Sequence, residues 1–388
     1  MAAPVLDPRA KFPFSQGALP LALEAVARWR GARIGWGVRE IRRGWVAALL
    51  LAACGAERGA ASAPAAVEAV PPAGREVTWL KGQLHAHTDN SGDSETTPAV
   101  ALRWFARHGF DFVVFTDHNF VTVADSDGVL AIPGVELTQN LADCEPPPEP
   151  GLQCLLHVNA LFVDPARAGR FMFAATDERS RLRLYGRALA ATRELGGVAQ
   201  LNHPNFHYAA DAATITALAR EGLLLVEVAN EAVDSNNAGD AGHPSTEALW
   251  DASLGRGARV WAVATDDSHH YDDAAQMESR GDTAYVGDRG FVMVRAEREP
   301  AAIRAAIERE DFYASSGVVL TTLAAEASTL TLRTAEPHEF RFVGAGGTEL
   351  ERVRGVTASH TLQPGEAYVR AVVVAADGRR AWTQPLRP

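Results

Sequence analysis

Leu84-His85-Ala86-His87 places two imidazoles two residues apart. On an extended segment that spacing puts both on one face, because strand side chains repeat every second residue. Asp267-Ser268-His269 repeats the spacing after the apolar run 260–265. Between them come Thr116-Asp117-His118, Gly134-Val135-Glu136, Leu156-His157 and Asn202-His203-Pro204, each next to an apolar, strand-like run. A single histidine beside a strand is usually packed or solvated. Six histidines (85, 87, 118, 157, 203, 269) and three carboxylates (117, 136, 267) at successive strand ends are harder to dismiss, and they predict a metal site. Such a set of imidazoles with carboxylates suits zinc, manganese or iron better than magnesium or calcium. Glu136 is the natural bridge, since a carboxylate offers one oxygen to each of two metals. Asp117 reads either as an orienting partner of a ligand imidazole or as a solvent-facing aspartate. Strand alternation after residue 260 puts Asp267 and His269 on one face. Asp266 falls on the other face, turned outward toward helices or solvent if the His269 face is the one that meets metal, unless a bulge intervenes.

The elements that carry these residues follow a repeating order. Residues 98–108 read as a helix, with Thr97 suited to the N-cap and Pro98 to the first turn. Gly109 stops it and the strand 110–116 follows. Helix, glycine and short apolar strand recur at 181–202, 215–228 and 245–265. That alternation predicts a parallel α/β architecture. Polar residues ending the strands all along the chain favour a TIM-like barrel over an open sheet, because parallel strands in a barrel present their ends at one mouth. No glycine-rich phosphate loop is present, which weakens a nucleotide-binding reading. From about residue 320 short strands separated by Gly and Pro turns replace this pattern, so 320–388 reads as a small all-β, sandwich-like module after the barrel of 78–319.

Hydrophobic residues make up 47% of the 388 residues and charged ones 22%, ordinary for a globular enzyme. A formal charge of −11 argues against a surface that tracks duplex nucleic acid. It leaves a small phosphorylated substrate open, because bound metals reverse the local field.

The three cysteines divide unevenly. Arg42 and Arg43 precede the apolar run 45–53, and Cys54 follows Leu51-Ala52-Ala53. A basic flank, a short apolar core and small residues describe a secretory signal rather than a spanning helix. The Leu-Ala-Ala-Cys-Gly ending resembles a bacterial lipobox. That resemblance implies lipidation of Cys54, export, and anchoring to the outer face of a bacterial membrane, so residues 1–54 read as extension plus signal. Residues 55–77, rich in Ala, Pro and Gly, read as a flexible tether. Cys144 and Cys154 flank a Pro-rich loop; in an exported protein such a pair reads as a disulfide, with two buried free thiols as the alternative.

Taken together, His85-Ala-His87-Thr with Ser91 and Asp93, Phe-Thr-Asp117-His118-Asn119, Pro-Gly-Val-Glu136, His157, Asn202-His203-Pro204 and Asp267-Ser-His269 resemble the PHP family, the polymerase and histidinol phosphatase metallohydrolases. The resemblance covers roughly residues 80–317. It implies a distorted seven-stranded (β/α) barrel with two or three metals at its mouth, and hydrolysis of phosphate mono- or diesters by a metal-activated water. The implied ligands are His85, His87, Asp93, His118, Glu136, His157, His203, Asp267 and His269, with Asp117 and His269 as supporting residues in catalysis. Members commonly place the acidic residue five positions after the second histidine, whereas Asp93 lies six after His87. A one-residue insertion and a role for Asp89 in its place both remain open. An amidohydrolase-type barrel also opens with His-x-His but usually needs a lysine on a middle strand; the only lysines are Lys11 and Lys81. A non-catalytic metal- or solute-binding lipoprotein would hold its metals coordinatively closed.

Overall fold

Apolar runs of four to eight residues, broken by glycine and by capped helices, give this chain more strands than helices. The computed structural model describes residues 76–388; the run 45–53, Cys54 and nearly all of the segment 55–77 lie outside the described residues. In chain order the elements are β1 (Thr78–Gln83), α1 (Pro98–Arg107), β2 (Phe112–Phe115), β3 (Phe120–Val121), β4 (Leu130–Leu141), β5 (Cys154–Leu161) and β6 (Gly169–Arg170). They continue with α2 (Arg181–Glu194), β7 (Val198–Leu201), α3 (Ala212–Arg220), β8 (Leu223–Asn230), α4 (Thr246–Gly255), β9 (Trp261–Thr265), α5 (Ala274–Ser279) and β10 (Phe291–Ala296). The chain ends with α6 (Pro300–Glu308), β11 (Phe312–Ser315), β12 (Leu320–Glu326), β13 (Thr329–Val343), β14 (Glu349–Thr361), β15 (Arg370–Val374) and β16 (Arg380–Thr383).

Three of the six helices among the described residues start where a side chain satisfies an orphan N–H group. Ser180 accepts from Arg183 N–H at the start of α2, Asp211 from Thr214 N–H at α3, and Ser245 from Ala248 N–H at α4. Pro98 opens α1, and Gly109, at φ 71°, ends it in a left-handed conformation that costs a glycine little. None of the helices among the described residues is long and apolar enough to cross a membrane.

Fourteen strands form one sheet in the order β12-β13-β15-β16-β11-β10-β1-β2-β4-β5-β7-β8-β9, with β14 on β13; β3 and β6 make a separate ribbon. The pairs β1–β2, β2–β4, β7–β8 and β8–β9 are parallel. The pairs β4–β5, β5–β7 and β1–β10 are antiparallel, as is every pair from β10 to β16. This corrects the expected (β/α)7 TIM-like barrel. The molecule is mostly one large mixed sheet with six helices among the described residues, and the hydrogen-bonded path runs out at β9 without closing. The physical reason lies in two connections. A parallel crossover needs a dozen or more residues, usually a helix. Instead, β4 turns directly into β5 through the loop closed by Cys144 and Cys154, and the stretch after β9 holds only the six-residue α5 before β10 returns antiparallel to β1.

One apolar layer, including Leu80, Leu84, Phe112, Val114, Ile132, Leu225, Val263 and Val292, gathers side chains from β1, β2, β4, β8, β9 and β10. Trp104 and Phe105 of α1 pack with Val113 and Phe115, and Leu184, Leu189, Leu218 and Trp250 bring α2, α3 and α4 onto the other strands. The C-terminal strands bury their own cluster of Leu330, Leu332, Phe340, Phe342, Val369 and Val373. Each such side chain contributes about 1.5–3 kcal/mol by leaving water.

Candidate metal centre

Beyond β1 the chain stays extended through His87. Thr116 N–H donates to Ala86 O at 2.9 Å, and His87 N–H donates to Ser268 O at 2.9 Å. The end of β1 therefore lies between the ends of β2 and β9, with Leu84 and Ala86 in the core and His85 and His87 turned toward the polar centre. Glu136 sits in the middle of β4, with His118 bridged to it across the parallel pairing. In β5, His157 lies opposite Thr138, so it emerges on the face shared with Glu136. His203 follows β7 at φ 23°, and Asp267 follows β9 at φ 51°.

These segments bring six imidazoles and three carboxylates to one place. Glu136 is the hub: His118 Nδ1 lies 2.6 Å from its Oε2, His157 Nδ1 3.0 Å from its Oε1, and the Nε2 atoms of His85, His87 and His203 at 3.5–3.6 Å. Asp267 Oδ1 stands 3.2 Å from His85 Nε2 and 3.1 Å from His87 Nε2. Asp93 Oδ2 stands 3.0 Å from His118 Nε2 and 3.4 Å from His269 Nε2. Three overlapping groups have ligand atoms that all lie within 4.8 Å of one another: His87, Asp93, His118 and His269; His85, His87 and Glu136; Glu136, His157 and His203. These buried groups are positioned to hold metal ions.

The donor set fits that role. His85 Nε2, His87 Nε2, His157 Nδ1 and Glu136 Oε2 are all buried and make no hydrogen bond. Burying polar atoms unsatisfied costs free energy, and native proteins rarely leave four side by side. The opposite ring nitrogens are held. His87 Nδ1 meets Ser91 Oγ at 2.8 Å, His118 Nδ1 meets Thr138 Oγ1 at 2.7 Å, and His269 Nδ1 donates to the Asp267 carbonyl at 2.8 Å. His157 Nε2 meets Asn140 Oδ1 at 2.8 Å, and Asn202 Nδ2–H donates to Glu136 Oε1 at 2.8 Å. Burial works to raise the Glu136 carboxyl, but the His118, His157 and His85 imidazoles hold it well below the usual carboxylate range. Burial, reinforced by the neighbouring His269, lowers His87 to about 3, so this ring is neutral, the form that ligates metal.

Exposure separates the two sides of the centre. Asp93 and His118 keep 38% and 25% of their side-chain surface, whereas His85, His87, Glu136, His157 and His203 keep 7% or less. The outer side opens to solvent past Asp93. Phe206 stands 5.1 Å from His203 and Tyr285 5.7 Å from His269, forming aromatic walls.

Three readings at aspartates are decided by these contacts. Asp117 neither orients an imidazole nor faces solvent. It is buried and accepts from Thr88 N–H, Thr88 Oγ1–H and Thr122 Oγ1–H, tying two loops together. Asp266 turns away from the imidazoles, to the side where Trp104 of α1 packs, but it is not left to solvent. It is buried, and accepts from the N–H groups of Asp288, Arg289 and Gly290 and from Gln83 Nε2. Between Asp89 and Asp93, it is Asp93 that meets the imidazoles, while Asp89 is exposed. Sequence reading passed over Glu227, a wholly buried carboxylate in β8 that contacts His85 Nδ1 at 2.7 Å. Its signal was an acid inside the apolar run Leu-Leu-Leu-Val-Glu-Val. Cys144 and Cys154 form a disulfide at the end of the β4–β5 hairpin. No family model matches this chain, and no curated protein matches it.

Proposed function

We propose that the chain is a metal-dependent phosphoesterase of the PHP type, cleaving small phosphate mono- or diesters at a centre of two or three zinc, manganese or iron ions. The observation that carries this reading is the convergence of unsatisfied, buried imidazole nitrogens and a Glu136 oxygen on one point, with a solvent-facing side beyond it. Ions bound in such a centre lower the pKa of water and clamp phosphate oxygens, which is the chemistry phosphoester hydrolysis needs. Three divalent ions against the four carboxylates Asp93, Glu136, Glu227 and Asp267 would leave the centre net positive, so an anionic ester is attracted despite the formal charge of −11. Glu136 spans the groups, Asp93, His118 and His269 face the entering ester, and Phe206 and Tyr285 limit water at its flanks. The reading rests on the site and its motifs; the open sheet gives it no added weight. An amidohydrolase-type site would use a bridging lysine. Lys81, the one lysine among the described residues, instead bonds to His108 O and Asp288.

Prolonged chelation is expected to abolish hydrolysis of aryl phosphomonoester and phosphodiester reporters, and added manganese or zinc to restore it. Full turnover in a preparation shown to be metal-free would refute the mechanism. The apolar run 45–53 and Cys54 support a second part of the proposal, that the enzyme is exported and lipid-anchored to a bacterial membrane, where it meets small phosphorylated substrates rather than duplex nucleic acid. Cell fractionation tests it: Cys54→Ser should move the protein out of the membrane fraction, and an unchanged fraction would overturn the anchor.

A further inference from the structure

Glu227 has no place among the ligands, yet its carboxylate receives five hydrogen bonds in the interior. Its Oε1 meets His85 Nδ1 at 2.7 Å, Thr265 Oγ1 at 2.7 Å and Gln200 Nε2 at 3.0 Å. Its Oε2 meets the His203 backbone N–H at 2.6 Å and Asn230 Nδ2 at 2.9 Å. Asn230 Nδ2 in turn reaches Asp267 Oδ2 at 3.3 Å. A carboxylate surrounded by donors accepts from each, so the proton of His85 sits on Nδ1 and the lone pair of Nε2 points into the centre. One side chain of β8 thus fixes His85 after β1, the backbone turn that presents His203 after β7, and Asp267 after β9.

The outer group has no such partner outside the ligand set: His118 Nδ1 lies 2.6 Å from Glu136 Oε2, but that carboxylate is itself a candidate ligand. His87 and His118 lean on the hydroxyls of Ser91 and Thr138, and His269 on a backbone carbonyl. Hydroxyls either donate or accept, so they fix the tautomer less firmly than a carboxylate and raise the basicity of the ring less. Asp93 is also the most exposed of the nine groups.

We propose that Glu227 is a positioning residue that divides the centre by affinity: the inner groups built on His85, Glu136, His157 and His203 hold metal tightly, and the outer group of Asp93, His118 and His269 holds it weakly and exchanges it. The inference rests on the metal-centre reading above. It predicts that the outer ion is the one lost on dilution or mild chelation, and that removing Glu227 inverts or erases this order.

The test is zinc binding to the metal-stripped full chain, followed by competition with a chromophoric chelator. Wild type should show two classes of site. Glu227→Gln should weaken the tight class by about 10–100-fold and leave the weak class in place. Asp93→Asn should do the reverse. Glu227→Gln sets an amide N–H against buried donors, so Thr265→Val serves as a second variant. It removes one donor to Glu227 and touches no ligand, and it should weaken the tight class alone, by a smaller factor. A folded Glu227→Gln or Thr265→Val protein with its tight class unchanged, or with both classes weakened equally, overturns the inference. If wild type itself binds no zinc, the metal-centre reading fails instead.

Discussion

Two adjacent aspartates with opposite duties show how little separates a ligand from a support. Asp267 faces the His85 and His87 nitrogens, while Asp266 faces three backbone N–H groups of the 288–290 turn. Burial pushes the Asp266 carboxyl up to about 7, against the pull of those N–H groups. Asp267→Asn should lose metal and nearly all turnover, because a neutral amide is a weak ligand for a divalent ion. Asp266→Asn should keep its metal but lose about 1–3 kcal/mol of stability, since its new N–H₂ must face a donor. Metal analysis and denaturant melts of both variants decide this; loss of metal from Asp266→Asn alone would mean the two roles are exchanged. At this scale the sequence was informative wherever a ligand-type residue ended an apolar run, as at His85, His118 and His203. It could not give the partners of Asp266 and Glu227, because these come from turns and strands far away in the chain.

At the scale of elements, helices α1 to α4 were legible from the glycines that stop them, a local signal, whereas Thr97, read as the N-cap of α1, makes no side-chain capping hydrogen bond. The direction of β5 was not. An apolar strand carries no mark of whether its neighbour runs with it or against it, and the helix–strand alternation elsewhere suggested a parallel neighbour. The reversal sets His157 beside Glu136, and the Cys144–Cys154 bridge closes the loop that makes it. Both cysteines are buried. Replacing both by serine should lower stability by about 2–3 kcal/mol, the chain-entropy value for so short a loop. Denaturant melts of the double variant against wild type measure it, and equal stabilities would show that the hairpin holds without the bridge.

Across the whole molecule, the C-terminal strands join the part that carries the centre through the β16–β11 pairing and, on the helix side, through one buried cation. Arg370 of β15 donates to both oxygens of Asp251 at 2.6–2.7 Å and to Glu247 at 2.9 Å, all three residues joining β15 to α4. Its guanidinium lies 4.8 Å from the Trp250 ring centre, and Trp382 Nε1–H also donates to Glu247. Truncating one partner of a buried pair leaves the other uncompensated, so Arg370→Ala should cost about 3–5 kcal/mol. A melt showing less than about 1 kcal/mol would mean that the apolar contacts alone hold these strands, within the usual range for an exposed pair.

The pairing of β1 with β10 sets a timetable. Every residue of the centre lies between His85 and His269, yet the strand leading to His85 and His87 gains its second neighbour only from residues 291–296, and Asp266 its N–H partners only from 288–290. A nascent chain that has already emerged past His269 therefore carries the complete set of ligands without the frame that aims them. A chain cut before residue 288 would thus carry every ligand-type residue of the centre but neither the strand that flanks β1 nor the turn that holds Asp266.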